Sequence, residues 1–319
     1  MEERKIVKSG NTSYILALPI NWIRKNNLNR GMQVQVYENE LGDLVIATKR
    51  ALTAPKEAIV TIKVDGKDFD GICLEFLIAY IHDASSIIFE GKDITKTSGK
   101  LLDFVKFFIG LDVIEQSTKI IVVKNFFSLD KETSPGVIIK KMDMINRAEF
   151  EMLQHFFHKG FAKEDFSELQ RLNDQNERLF NLARKSTLKL FEYPQLMKNV
   201  QTDALQLVKD KMLAQALRTI SVGLLNSGNS FLFLDNSRSE IKPLKEFFEK
   251  AYSDYQDLFN AVYNKSGDRI KSFIKKHFGD MEDLDKLLKT LEDPLMIQVT
   301  NSLHIIRYNL EIIAQEALM

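Results

Sequence analysis

The spacing of apolar residues changes at Ser134-Pro135, and nothing else in the chain constrains its fold as much. Upstream, short apolar runs are separated by turn residues, as in strands and short helices; downstream, apolar residues recur every three or four positions. Ser134 reads as an N-cap and Pro135 as a first-turn proline, followed by a stripe of Ile138, Ile139, Met142, Ile145, Phe150, Leu153 and Phe157 that ends before Gly160. Phe166, Leu169, Leu172, Leu179, Leu182 and Leu190 mark a second helix, closed by Pro194. Leu205, Val208, Met212, Leu213, Leu217, Ile220 and Leu224 mark a third, expected to end near Asn226-Ser227-Gly228-Asn229. A second set follows. Ser239 precedes a helix with Ile241, Leu244, Phe247, Phe248, Ala251, Tyr255, Leu258 and Val262; Gly267 and Gly279 punctuate a shorter middle stretch; Asp293-Pro294 opens a last helix along Val299, Leu303, Ile306, Leu310 and Ile313. Two sets of three long helices with short joints predict an antiparallel bundle over 131–319, with repeats at about 134–230 and 238–319 inferred from element order.

The opposite end carries a charge bias. Arg4, Lys5, Lys8, Arg24, Lys25 and Arg30 are basic, and no acid lies between Arg4 and Tyr37, although 44 basic and 44 acidic side chains balance over the whole chain. Such a run is either a solvated face or a polyanion-binding one, and turn and strand signals organise it in favour of the second. Arg4 to Lys8 is a short strand, Ser9-Gly10-Asn11-Thr12 a turn, and Tyr14 to Leu18 a second strand ending at Pro19. Pro19 to Asn26 gives one or two helical turns; Val34 to Tyr37 and Leu44 to Ala47 form a hairpin around Leu41-Gly42-Asp43. A segment of about fifty residues buries little apolar surface alone, so a dimer is expected.

The run from Arg4 through Lys8-Ser9-Gly10-Asn11-Thr12 to Pro19, with the Gly31-Met32 break and the strand after it, resembles the AbrB/MazE/SpoVT swapped-hairpin domain. The resemblance covers roughly residues 4 to 48. It implies that two chains interleave their hairpins into one small barrel over residues 1–53, and that Arg4, Lys5, Lys8, Asn11, Ser13, Arg24 and Lys25 contact double-stranded DNA. The cations at either end of that set would neutralise phosphates, and Asn11 and Ser13 would donate to phosphate or base edges.

Between the two ends, residues 54–130 read as a small α/β sandwich: strand Ala58 to Val64, helix Phe69 to Tyr80, strand Ser86 to Glu90, helix Lys100 to Ile109, then a hairpin of Asp112 to Glu115 and Lys119 to Lys124. Gly66, Gly71, Gly91, Gly99 and Gly110 are expected to be helix stops and turns, since none falls into a phosphate-binding glycine pattern. Cys73 is the only cysteine, which excludes an intrachain disulfide and a thiolate-cluster zinc site. No apolar run approaches the roughly eighteen residues that span a bilayer, so no membrane insertion is expected and the cytoplasm is the expected location.

The helical part resembles the PhoU family of six-helix bundles, through Asp174-Gln175-Asn176-Glu177-Arg178-Leu179-Phe180 on its second helix, and Ser302-Leu303-His304-Ile305-Ile306 with Ile312-Ile313-Ala314-Gln315-Glu316 on its last. An AbrB-like module joined to a PhoU-like bundle is a known archaeal arrangement, described as a phosphate-uptake regulator. The resemblance thus implies a multidomain α+β protein: swapped-hairpin barrel, small α/β sandwich and six-helix bundle of two three-helix repeats. In that family paired acids one turn apart on the third helix of each repeat hold metal ions. Arg218 and Val222, and His304 and Tyr308, stand at the matching places here, so neither a metal nor another cofactor is expected. Arg218 is expected to pair with Asp174 or Glu177. His155 and His158 share a helix face without a carboxylate partner, His82, His277 and His304 are isolated, and no catalytic constellation appears, so an enzyme is not expected.

Two functions remain at this level. One is a homodimeric transcriptional regulator of phosphate uptake or homeostasis, with the bundle as sensor or docking domain. The other is an adaptor that binds a phosphate transporter or sensor kinase and uses its amino-terminal module only to dimerise; a flat, apolar, acid-rimmed amino-terminal surface would favour it.

Overall fold

The computed structural model describes residues 3–38, 42–48, 58–92, 94–235 and 241–319. The chain divides into two compact units, Met1–Lys56 and Glu57–Met319. The amino-terminal limit expected at residue 53, the expected turn residue Leu41 and the helix start expected at Ser239 lie outside the described residues.

In the first unit, β1 (Ile6–Ser9) pairs with β2 (Ser13–Leu16), a short α1 (Ile20–Lys25) follows, and β3 (Val34–Glu38) pairs with β4 (Leu44–Thr48). Gly10 at φ 70° supplies the left-handed residue that the tight turn between β1 and β2 needs. The two hairpins are separate two-stranded sheets, and no closed barrel forms among the described residues.

The second unit begins with a four-stranded sheet in the order β5-β6-β8-β7, built from β5 (Ile59–Lys63), β6 (Ser86–Glu90), β7 (Leu111–Gln116) and β8 (Ile120–Asn125). β5 and β6 are parallel, joined by α2 (Phe69–Ile81); β8 runs antiparallel to both β6 and β7. Ile62, Ile87, Phe89, Ile121 and Val123 are buried with Ile72, Phe76, Leu101 and Val105 of α2 and α3 (Ile94–Lys106), which makes the expected α/β layer pair. α3 starts six residues before its expected start. Gly99, expected as a stop, lies inside it, since Ile94, Leu101 and Val105 give the helix a buried stripe and a Cβ at Gly99 would meet nothing within 4 Å. Gly71 likewise sits in the first turn of α2, where its N–H donates to the Asp68 N-cap at 2.9 Å.

The helical region comprises α4 (Pro135–Gln154), the one-turn α5 (Phe156–Lys159), α6 (Lys163–Glu192), a 3-10 turn at Pro194–Leu196, the short α7 (Met197–Val200), α8 (Ala204–Phe231), α9 (Ile241–Tyr263), α10 (Gly267–Thr290) and α11 (Pro294–Leu318). α4, α6 and α8 pack on one another, as do α9, α10 and α11, and the two sets join chiefly through α8 against α11. The result is a helical bundle of two three-helix halves. Three sequence signals act differently from expectation. Ser134 occupies the N-cap position, but its hydroxyl turns back to donate to the Lys131 carbonyl at 2.7 Å. α8 runs two residues past Asn229 to Phe231, with Gly228 inside it packed against α4 and α6: a Cβ there would lie 2.3 Å from Leu169 Cδ2 and 3.3 Å from Leu153 Cδ2. Gly279 does not interrupt α10, which runs straight through it.

The bundle and the α/β layer meet at a buried cation. Lys185 of α6 reaches Asp83 Oδ1 and Asn125 Oδ1, each at 3.1 Å, with its ammonium 4.4 Å from the Tyr80 ring centre and 4.8 Å from that of Phe127. Lys189, one turn on, reaches Asp83 Oδ2 at 2.6 Å. Burial pulls the Lys185 ammonium down to about 8, opposed by the Asp83 charge.

Candidate nucleic-acid interface

All seven amino-terminal candidates, Arg4, Lys5, Lys8, Asn11, Ser13, Arg24 and Lys25, are exposed. Cross-strand partners in a two-stranded ribbon share a face. Lys8 opposes Tyr14 and so shares its face with Ile6 and Leu16, whereas Ser13 opposes Ser9 and shares the other face with Val7 and Ile15. Asn11 is in the turn between the strands. Arg24 and Lys25 occupy the last turn of α1, where positive charge complements the helix carbonyl end. Within one chain, therefore, Lys8 and Ser13 belong to opposite faces of the ribbon.

The same ribbon has no interior. None of the first unit's residues whose burial is described is buried, and Ile6 and Tyr14 on one face and Val7 and Ile15 on the other are all more than half exposed. Leu44, on the second hairpin, is 65% exposed. A hairpin that is apolar on both faces and open along both edges is not independently stable in water, and each such side chain gains about 1.5–3 kcal/mol on full burial.

In the bundle, the four positions that correspond to the paired acids, Arg218, Val222, His304 and Tyr308, hold no carboxylate. Arg218 forms an ion pair with Glu177, one of the two partners expected from sequence, and lies 5.1 Å from the Phe180 ring centre, with Arg184 at 5.6 Å from the same ring. Val222 is half-buried. His304 Nε2 lies 3.3 Å from Asp285 Oδ1, and partial burial holds the imidazole below its ordinary value; Tyr308 is exposed. Among the described residues no three His, Cys, Asp or Glu side chains gather as a metal would require. His155 and His158 are exposed.

Sequence reasoning missed two polar layers inside the bundle. In the first half, Asn146 and Glu149 of α4, Asn173 and Asn176 of α6 and Ser221 of α8 are buried together. In the second, Arg307 of α11 is 1% exposed and donates to Asp254 of α9 at 3.0 Å and to Asp280 of α10 at 2.6 Å. The half-buried Lys250 and the exposed Lys276 reach the same two carboxylates. The carboxylates Asp174 and Glu177 lie three residues apart on α6, but the pair that enters the core is Asn173 and Asn176, one residue earlier on the helix. No described helix is long and apolar enough to cross a membrane. No protein-family model, curated protein or solved structure matches the chain.

Proposed function

We propose that the protein is a DNA-binding transcriptional regulator that acts as a homodimer, with its amino-terminal unit on the DNA and its helical bundle as the sensing or partner-docking part. The observation that carries this reading is the composition of the β1–β2 ribbon: apolar on both faces, without an interior of its own, and fringed by exposed cations instead of acids. A second copy supplies the missing interior, and it also places two sets of Arg4, Lys8, Arg24 and Lys25 on one particle, which answers the division of Lys8 and Ser13 between faces. The rim is basic, so an acid-rimmed adaptor surface is the weaker fit. The resemblance of the bundle to the PhoU family makes phosphate uptake or homeostasis the proposed process under control.

The test uses the full chain on duplex DNA at rising salt. Eight engaged cations per dimer give a slope of log K against log salt of about −7. Lys8→Ala and Arg24→Ala should weaken binding to all sequences alike, because phosphate contacts carry no sequence information. Val7→Glu with Ile15→Glu should convert the sedimenting dimer to monomer and abolish binding. Affinity insensitive to salt and to these changes would overturn the reading in favour of the transporter or kinase adaptor, and a wild-type monomer at micromolar concentration would overturn both.

A further inference from the structure

The orientations of two amides in the first polar layer, Asn146 and Asn176, are fixed by one backbone carbonyl. Leu217 O can only accept, so the group facing it at 2.9 Å is Asn146 Nδ2. Asn146 Oδ1 then faces Asn176, whose Nδ2 donates to it at 2.5 Å, and Asn176 Oδ1 is left without a partner. One helical turn away a parallel chain runs through Ser221: Asn173 Nδ2 donates to Ser221 Oγ at 2.9 Å, and the Ser221 hydroxyl donates to Glu149 Oε1 at 2.6 Å. Glu149 Oε2 is also left without a partner. Asn146 and Glu149 are three residues apart on α4, Asn173 and Asn176 three apart on α6, and Leu217 and Ser221 four apart on α8, so the two chains are adjacent rungs across the same three helices. Glu149 and Asn176 are both completely buried.

Two orphan oxygens on adjacent rungs admit few solutions. A dehydrated metal cation needs about six oxygen ligands, and Asn146 Oδ1, Ser221 Oγ and Glu149 Oε1 are already engaged in hydrogen bonds within the layer. An ionised carboxylate without a counter-charge in an apolar interior is strongly disfavoured. A proton on Glu149 Oε2 removes the charge and makes that oxygen a donor, and Asn176 Oδ1 on the adjacent rung is an unpartnered acceptor.

We propose that the first three-helix half binds one proton at its centre, holding Glu149 as a neutral acid whose Oε2–H donates to Asn176 Oδ1 directly or through one bridging water, and that losing this proton loosens the packing of α4, α6 and α8. The charged groups on the surrounding helices are engaged elsewhere. Arg147 pairs with Asp143 on α4, Glu151 accepts from Tyr252 of α9, Glu177 and Arg218 pair across α6 and α8, and Arg307 of α11 holds Asp254 and Asp280. Burial alone pushes the Glu149 carboxyl up to about 8, against a smaller lowering by the Ser221 hydrogen bond. The proton is thus a ligand of the bundle in the neutral range.

Because the folded value lies above the ordinary 4.5, the stability that Glu149 contributes is complete below pH 4.5 and is lost as pH rises toward 8. Asp210, raised by burial to about 6, acts with the same sign at lower pH, so the comparison is made between the wild type and Glu149→Gln, whose amide keeps one acceptor for Ser221 and one donor for Asn176. Denaturant unfolding of the full chain between pH 6 and 8 should show the wild-type folding constant falling about tenfold per pH unit relative to the variant. The wild type at pH 7 should also show the infrared carbonyl band of a protonated carboxylic acid, lost in Glu149→Gln. Should that variant not fold, Asn176→Leu serves: removing the acceptor should lower the pH at which the band disappears. A constant ratio of folding constants across the range, or no such band in the wild type, overturns the proposal. So does a wild-type midpoint that shifts with Na+ or Mg2+ at fixed ionic strength where that of Glu149→Gln does not, which would assign the site to a metal cation.

Discussion

In the first half of the bundle the central polar groups are amides, a hydroxyl and one isolated carboxyl; in the second they are a guanidinium between two carboxylates. Both halves have three long helices in the same order, and both bury polar side chains at mid-height. With Glu149 protonated as proposed, the first pairs neutral donors with neutral acceptors, so desolvation is modest and each bond contributes about 0.5–1.5 kcal/mol. The second takes full charges out of water, where attraction offsets desolvation only while every partner stays in place. Two halves of similar architecture are thus held by interactions with different failure modes. A neutral layer degrades one bond at a time, and a charged layer fails when one member is lost.

The sharpest way to break that contrast is Arg307→Leu. It leaves Asp254 and Asp280 buried without their shared cation, and the expected loss is about 3–5 kcal/mol, read from denaturant unfolding. Replacing all three by leucine should restore most of it, because no uncompensated charge remains. A loss under about 1 kcal/mol for Arg307→Leu would mean that Lys250 and Lys276 already balance the two acids from the surface.

A smaller effect separates the halves by the sign of their pH response. His277 of α10 is 1% exposed, stacks on Phe273 at 5.3 Å and has neither ring nitrogen hydrogen-bonded. Burial, then the nearby Arg307 charge, lowers its imidazole to about 4, against the opposing pull of Asp254 and Asp280. A folded value below the ordinary 6.5 means that stability is complete above pH 6.5 and declines as pH falls toward 4, by at most about 3 kcal/mol. Glu149 responds in the opposite direction. His277→Phe should therefore flatten the acid side of the stability profile and leave the side between pH 6 and 8 unchanged; an unaltered acid limb would show that His277 takes up its proton without strain.

Most helices and all the strands of the described residues were legible in the sequence, because period and turn chemistry agree there. The inward polar residues were legible in principle. Met142, Asn146, Glu149 and Leu153 fall on one stripe, as do Leu169, Asn173, Asn176 and Phe180, Leu217, Ser221, Leu224 and Gly228, and Phe273, His277, Asp280 and Leu284. A polar residue inside an apolar stripe is a core residue with a partner to be found, but its partner lies on another helix, and sequence spacing within one helix cannot supply it. The amino-terminal candidates were legible as exposed cations; which face each occupies followed only from the β1–β2 register, which a one-residue slip would have reversed.

Glycine punctuation misled for a related reason, and it yields the smallest expected effect. Gly228 and Gly279 both lie inside long helices, one in each half, yet only Gly228 is there for packing: a methyl group at that position collides with Leu169, and Gly228→Ala should cost about 1–3 kcal/mol by overpacking. Gly279 is exposed, and a Cβ there would meet nothing within 4 Å. Its only consequence is the backbone freedom it gives the unfolded chain, which an alanine removes. Gly279→Ala should therefore raise stability by about 0.5–1 kcal/mol, seen as a higher denaturant midpoint with an unchanged slope. Opposite signs for the two substitutions would confirm that α8 is pinned by close helix approach while α10 is held through its charged layer; a loss at Gly279 would reveal a second close-packed surface on α10 that a single chain does not cover.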